Sequence, residues 1–293
     1  MTEGPGLVES FRSADAAEAF VSGYQAQLAR WPLPVSEIDV PGDFGTTRVN
    51  VCGRSDGAPL VLMHGVGSTS TVWFANVGAL AANHRVYAVD QMGDAGMTAP
   101  SGRPILDVED YMAWLDGVLA AVSLPSAAFC GHSYGAWLAL NYALHAPSKV
   151  EKLALLDPTE CFAGLKLTYR LHAVPLFVRP SAKRARRLME WEADGLPLDP
   201  QTETLAGLGG GEFRHAKIVM PHPPKADQLW VMNVPTLLLL AEKSRAHDIG
   251  KVRANAESAL LRLATVVLPG ASHHSIPVTG ADELNRALID FLA

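Results

Sequence analysis

Apolar residues recur along this chain in two rhythms. Phe20, Tyr24, Leu28 and Trp31 return every three to four positions, which predicts an amphipathic helix. Pro32 and Pro34 end it. Ser36–Val40 and Thr47–Val51 then alternate apolar and polar residues across Pro-Gly-Asp-Phe-Gly, a hairpin signal. From there short apolar runs of strand length take over, at Leu60–Met63, Val86–Val89, Ala127–Cys130, Leu153–Leu156, Thr236–Leu240 and Thr265–Leu268. Helical stretches separate them, among them Tyr111–Val122, Ala136–Leu144 and Val252–Leu261, and Ala281–Leu292 closes the chain. Continuous apolar strands alternating with helices predict an α/β fold, a mostly parallel sheet covered on both faces.

The alternation stops between about Thr159 and Asn233. That stretch carries Pro175, Pro180, Pro197 and Pro200, the glycine-rich Gly207–Gly211 and Met220-Pro-His-Pro-Pro224, with no strand pattern. It predicts a helical cap over 159–233, inserted into a core of 1–158 and 234–293.

Composition narrows the function. The chain has 293 residues, 48% hydrophobic and 18% charged, enough for one large domain with a cap. A net charge of −6 and a pI near 5.9 argue against nucleic-acid and polybasic membrane partners. The one basic run, Lys183-Arg184-Ala185-Arg186-Arg187, reads as the wet face of an amphipathic helix, because Glu190, Glu192 and Asp194 follow at once. No apolar run approaches the ~20 residues of a membrane span, and Met1–Phe11 lacks a signal pattern. Cys52, Cys130 and Cys161 are odd in number and widely spaced, which fits a reducing cytoplasm better than a disulfide framework or zinc site.

Gly131-His132-Ser133-Tyr134-Gly135 joins the buried strand Ala127–Cys130 to the helical run after it. This strand–turn–helix context is what a nucleophile elbow requires, with glycines where strand and helix crowd together. Ser133 is therefore the candidate nucleophile. His273 follows the last strand in a Gly-x-x-His run and can reach over the sheet's carboxyl edge as the base; the adjacent His274 points elsewhere. Oxyanion donors are expected from the N–H of Tyr134 and from the loop His64-Gly65-Val66-Gly67-Ser68, at Val66. His64 itself reads as a scaffold residue. His132, His145, His172, His215 and His222 lack metal-ligand spacing, and no Gly-x-Gly-x-x-Gly follows a strand, so neither a metal nor a nucleotide cofactor is expected.

The order His64-Gly65, Val89-Asp90-Gln-Met-Gly-Asp-Ala-Gly96, Gly-His-Ser133-Tyr-Gly and His273 resembles the α/β-hydrolase superfamily. Val72-Trp73-Phe74, Tyr87-Ala-Val-Asp90 and Gly93-Asp-Ala-Gly96 resemble a bacterial carboxylesterase-like branch of it. The resemblance spans about Pro59–Leu156 and Val234–Leu292 and implies an eight-stranded sheet. It also implies a Ser–His–acid triad that cleaves a carboxylic ester, thioester or lactone through an acyl-enzyme, without a cofactor. One position departs. Members of the family usually carry the acid just past the strand read here as Thr236–Leu240, and this chain has Ala241-Glu242-Lys243-Ser244 there. Asp157, at the end of Leu153–Leu156, and Asp248, on the following loop, both keep the Ser–acid–His order; Glu242 reads as completing its strand. Asp157 also reads as a turn opener before Pro158, and Asp90 as the cap of its own loop. With the acid displaced, three rival activities stay open: C–C hydrolysis, cofactorless peroxidation, or a cyclase or acyl-transfer step. A non-catalytic ligand-binding descendant is the remaining alternative. The oligomeric state is left open.

Overall fold

β1 (Ser36–Gly42) and β2 (Gly45–Gly53) form the predicted hairpin, in register from Ser36↔Val51 to Gly42↔Gly45. The computed structural model describes residues 9–214 and 219–293, so the N-terminal reading over Met1–Val8 and the reading of His215 lie outside the described residues. The predicted first helix is α1 (Ala14–Leu28). The Ser13 hydroxyl accepts from Ala16 N–H at its start, and Phe20, Tyr24 and Leu28 are buried.

Next come β3 (Ala58–Met63), α2 (Val77–Leu80), β4 (His84–Val89), β5 (Ala99–Pro100), α3 (Val108–Ala121), β6 (Ala127–His132), α4 (Tyr134–His145) and β7 (Val150–Leu156). Among the described residues four helices follow: α5 (Leu167–Val178), α6 (Ala182–Ala193), α7 (Pro200–Glu212) and α8 (Ala226–Val231). β8 (Thr236–Ala241), α9 (Ile249–Ala259), β9 (Leu263–Leu268) and α10 (Ala281–Leu292) complete the chain. The sheet runs β1-β2-β4-β3-β6-β7-β8-β9, antiparallel at β1–β2–β4 and parallel from β4 onward.

Among the described residues the sheet has nine strands rather than eight. The extra one is β5, which pairs with β2 through Gly45↔Pro100 and Thr46↔Ala99. Two residues are too few to show an alternation, and proline is tolerated there because β5 lies on an edge.

β3, β6 and β8 are buried over most of their length, which is why their sequences read as unbroken apolar runs. One core cluster, with Val61, Phe129, Leu153 and Leu238, lies under α3, α4 and α9. The other, with Leu60, Leu62, Leu237 and Leu288, lies under α1, α2 and α10. Burying a Leu or Val fully contributes roughly 1.5–3 kcal/mol, so the sheet centre is the rigid part of the molecule and its strand ends are firmly held.

Gly207–Gly211 lies inside α7, within the insertion read as helical. A Cβ at Gly209 would meet Gly67 O at 2.6 Å, and one at Gly211 would meet Ser181 C at 2.1 Å. The glycines cost the helix about 1 kcal/mol each relative to alanine, and in return α7 touches both the loop after β3 and the start of α6. No described helix is long and apolar enough to cross a membrane.

Candidate active site

Ser133 sits between β6 and α4 at φ 53°, ψ −114°, a strained conformation for a residue with a Cβ. The flanking glycines are there by steric need. A Cβ at Gly131 would lie 2.3 Å from Gly135 O, and one at Gly135 would lie 2.4 Å from His64 O. The turn lifts Oγ to the carboxyl edge of the sheet, beside His273. Ser133 Oγ lies 2.9 Å from His273 Nε2, and His273 Nδ1 lies 2.6 Å from Asp157 Oδ2. A carboxylate only accepts, so Nδ1 carries the proton and Nε2 is left to accept from Ser133. The Thr159 hydroxyl, 2.9 Å from Ser133 Oγ, then donates to the same oxygen.

Asp157 is fully buried at the end of β7, at φ 40°. Its Oδ1 accepts from Ala241 N–H (3.1 Å) and faces His247 Nε2 (3.0 Å); its Oδ2 accepts from the Ser244 hydroxyl (2.8 Å) and from His273. Burial alone would raise this carboxyl. The charge and hydrogen bond of His247, with those of His273, outweigh it and hold Asp157 well below its ordinary 3.8. Burial likewise works against a charged His273, but Asp157 reverses the sign and raises it above 6.5. Asp248 lies elsewhere: it caps α9, its side chain accepting from Lys251 N–H. Glu242 accepts from Gly270 N–H and fastens the ends of β8 and β9 together.

Ser244, standing where family members carry an acid, donates to Asp157. Sequence reasoning did not find this partnership, and it missed His247 and Thr159 altogether. A strand-end aspartate was the one usable signal; single Ser, Thr and His residues on loops carry none.

The remaining histidines divide into scaffold and surface. His64 Nε2 accepts from Gln91 N–H, so its Nδ1 donates to Gly65 O (2.8 Å), within the loop as expected. His132 is pushed down to about 3 by burial and by the charges of His273 and His274. It is therefore neutral, and its Nε2–H donates to His273 O (2.8 Å), fixing the loop that bears His273. His274 turns away from Ser133, placing Nδ1 3.1 Å from Glu192 Oε2 on α6. Burial would raise Glu192, but His274 and then His273 hold it below its ordinary 4.5. Asp90 anchors its neighbourhood as a cap, accepting from Ser70 N–H, Met97 N–H and Tyr24 OH.

Val66 and Tyr134 flank this arrangement. Gly65 packs so closely that a Cβ there would meet Ser133 Cβ at 3.3 Å, and Gly67 N–H donates to both oxygens of Asp94 (3.0 Å each), which clamps the loop. Among the described residues neither Val66 N–H nor Tyr134 N–H is engaged by another protein group. Asp157, His247 and His273 each bring a ligand atom within 4.8 Å of the others. Two of these atoms, His247 Nε2 and His273 Nδ1, already lie within hydrogen-bond distance of the third residue's carboxylate.

Residues between β7 and β8 close over the site. The Tyr169 ring of α5 meets the His273 ring edge-on at 6.3 Å, and Tyr134 OH donates to Val219 O. Ser133 is left 7% exposed and His273 3%.

A model of the alpha/beta hydrolase family matches residues 60–287. The chain belongs to the α/β-hydrolase family. It is similar to carboxylesterase YbfK of Bacillus subtilis, 25% identical over 96% of each chain, and to the uncharacterized carboxylesterase nap of the same organism, 26% identical over 89% of this chain and 88% of that one. Solved structures agree on the fold. The YbfK carboxylesterase CesB superposes with a TM-score of 0.89 at 24% identity, and naproxen esterase from B. subtilis with 0.85 at 25%; each match covers 95% of this chain and 99% of the other. The carboxylesterase-like branch implied by the sequence is therefore the one the relatives occupy.

Proposed function

We propose that this protein is a serine hydrolase that cleaves carboxylic esters, and related thioesters or lactones, through an acyl-enzyme on Ser133. The observation that carries the reading is the unbroken chain Ser133 Oγ–His273–Asp157, at 2.9 and 2.6 Å. In this reading His273 Nε2 takes the Ser133 proton as Oγ attacks the acyl carbon, and returns it to the leaving alcohol. Water then repeats the sequence in reverse order of roles and frees the acid. Asp157 holds the imidazolium, and the N–H groups of Val66 and Tyr134 receive the oxyanion, each donor contributing about 10²–10³ in rate. Two carboxylesterase relatives matched over most of their length support ester bonds over the scaffold's other chemistries.

Residues 159–233 serve as the cap, which must part from the His273 loop to admit substrate. No cofactor enters this chemistry. Three unpaired, buried cysteines support a reducing, cytoplasmic setting.

Fluorophosphonate labelling tests the nucleophile, and p-nitrophenyl esters of short and long acyl chains test the reaction. Labelling at Ser133 with ester turnover lost in Ser133→Ala is the expected result. Full turnover in Ser133→Ala would overturn the reading.

A further inference from the structure

α5 has two apolar faces, and the fold uses one. Tyr169 and Ala173 lie on its inner side: Ala173 is buried, and the Tyr169 ring meets His273 and Trp191. Leu167, Leu171, Val174 and Val178 lie on the opposite side, within about 60° of one another at the ~100° per residue of an α-helix. They are 71%, 60%, 49% and 70% exposed, with Phe177 exposed beside them. A stripe of aliphatic residues this long on the outer side of a helix is not what folding alone selects.

The charges around it are predominantly of one sign, although Glu160 pairs with Arg170 and Glu190 and Asp194 stand at the far end of α6. From Cys161 to Met189 the chain contains no Asp or Glu, while Lys166, Arg170, Arg179, Lys183, Arg184, Arg186 and Arg187 are all cationic. Lys166 and Arg179 cap the two ends of α5, and the last four follow on α6, which packs against α5 through the stacked rings of His172 and Trp191. The net charge of −6 conceals this local excess.

We propose that the outer face of α5, with its basic rim, seats the protein on an anionic lipid surface. The aliphatic stripe enters the interface and the lysines and arginines meet the headgroups. The charge pattern disfavours a second copy of the chain as occupant, because pairing two such faces would set cation against cation. Because α5 also carries Tyr169 onto His273, a protein so seated holds its cap between the lipid and the candidate nucleophile. Binding is measured without turnover, so the inference stands apart from the assignment of Ser133.

Co-sedimentation with vesicles of phosphatidylcholine plus phosphatidylglycerol, against phosphatidylcholine alone, tests it. The expected result is partitioning onto the mixed vesicles that weakens as salt is raised. Each basic residue at such a surface is worth roughly fivefold in partitioning, so Lys183→Glu with Arg187→Glu should lower it at least about tenfold. Leu171→Glu with Val178→Glu should abolish it while leaving the thermal melt unchanged, since both side chains are exposed. Failure to partition onto the mixed vesicles, or equal partitioning by either variant pair, would overturn the proposal. So would a concentration-dependent dimer in sedimentation velocity that Leu171→Glu dissociates, because the stripe would then belong to a second copy.

Discussion

Four donors converge on one buried carboxylate, and the proposed chemistry turns on how they share it. Asp157→Asn should lower kcat by about 10⁴, because an amide cannot hold the imidazolium, while Asp248→Asn, at an exposed helix cap, should change it less than about twofold. The pH profile adds a sign. His273 must be neutral to accept a proton and Asp157 raises it above 6.5, so kcat/KM should fall as pH drops through a midpoint above 6.5. In Asp157→Asn burial is opposed by the charge of Glu192 alone, and that midpoint should move down. Replacing His247 acts oppositely. His247→Leu removes a donor from Asp157 Oδ1, leaves the carboxylate more basic and shifts the midpoint up, with kcat reduced roughly 10–100-fold. His247→Gln keeps an N–H and should recover most of the loss. Steady-state rates from pH 5 to 9 would check all three; equal, mild losses in Asp157→Asn and Asp248→Asn would sink the assignment of the acid. At this scale Ser133 and His273 could be picked out as candidates because each sits beside a strand whose apolar run is unmistakable, and the structure brings the two side chains together. The acid was narrowed to two aspartates. The choice between them lay in the contact of three loops, at Asp157, Ser244 and His273, which no local pattern encodes.

Two glycine contexts separate the demands of packing from those of the helix. Gly117 lies exposed in α3, and a Cβ added there would meet nothing within 4 Å, so Gly117→Ala should stabilise by about 0.5–1 kcal/mol through helix propensity alone. Gly211→Ala gains the same propensity, but its methyl would meet Ser181 C at 2.1 Å and Ala182 N at 2.2 Å. Overpacking of this kind costs about 1–3 kcal/mol, and Tm should fall by several degrees. Calorimetry on the two variants should therefore give shifts of opposite sign. Strands and helices of the sheet were legible nearly to their ends, because burial on both faces imposes an unbroken apolar run. β5 was not, being two residues long, and within the helical insertion composition registers the cost of glycine at Gly207–Gly211 but not the neighbours that require it.

Across the whole molecule, protonation links the site to stability. Asp157 is depressed, so its contribution is present above its unfolded value near 3.8 and is lost as pH falls through the folded one. His273 is raised; its contribution is complete below 6.5 and is lost as pH climbs through the folded value. His132, depressed to about 3, works against the fold between there and 6.5, where the unfolded chain takes up a proton that the folded chain does not. Guanidinium midpoints should therefore peak near pH 6.5 and decline on both sides. His132→Gln should lessen the decline between about pH 6.5 and 4; an unchanged acid slope in that variant would show that other groups govern it. The hydrolase architecture at this scale was legible from the order of motifs along the chain, whereas the packing of α5 against the His273 loop depended on contacts such as Tyr169 with His273. Placing the proposed acid at the end of β7 also changes which parts of the chain depend on one another. Ser133 and Asp157 now belong to a single strand–helix–strand unit, β6–α4–β7, joined through Ser133 N–H to Leu156 O and Thr159 N–H to Ser133 O. Two members of the proposed triad thus arrive in one contiguous segment, and the long insertion before β8 separates only the histidine from them. A change in the length of that insertion would therefore leave the distance from the proposed nucleophile to the proposed acid as it is, so what covers the site and what holds its chemistry are set by separate stretches of chain.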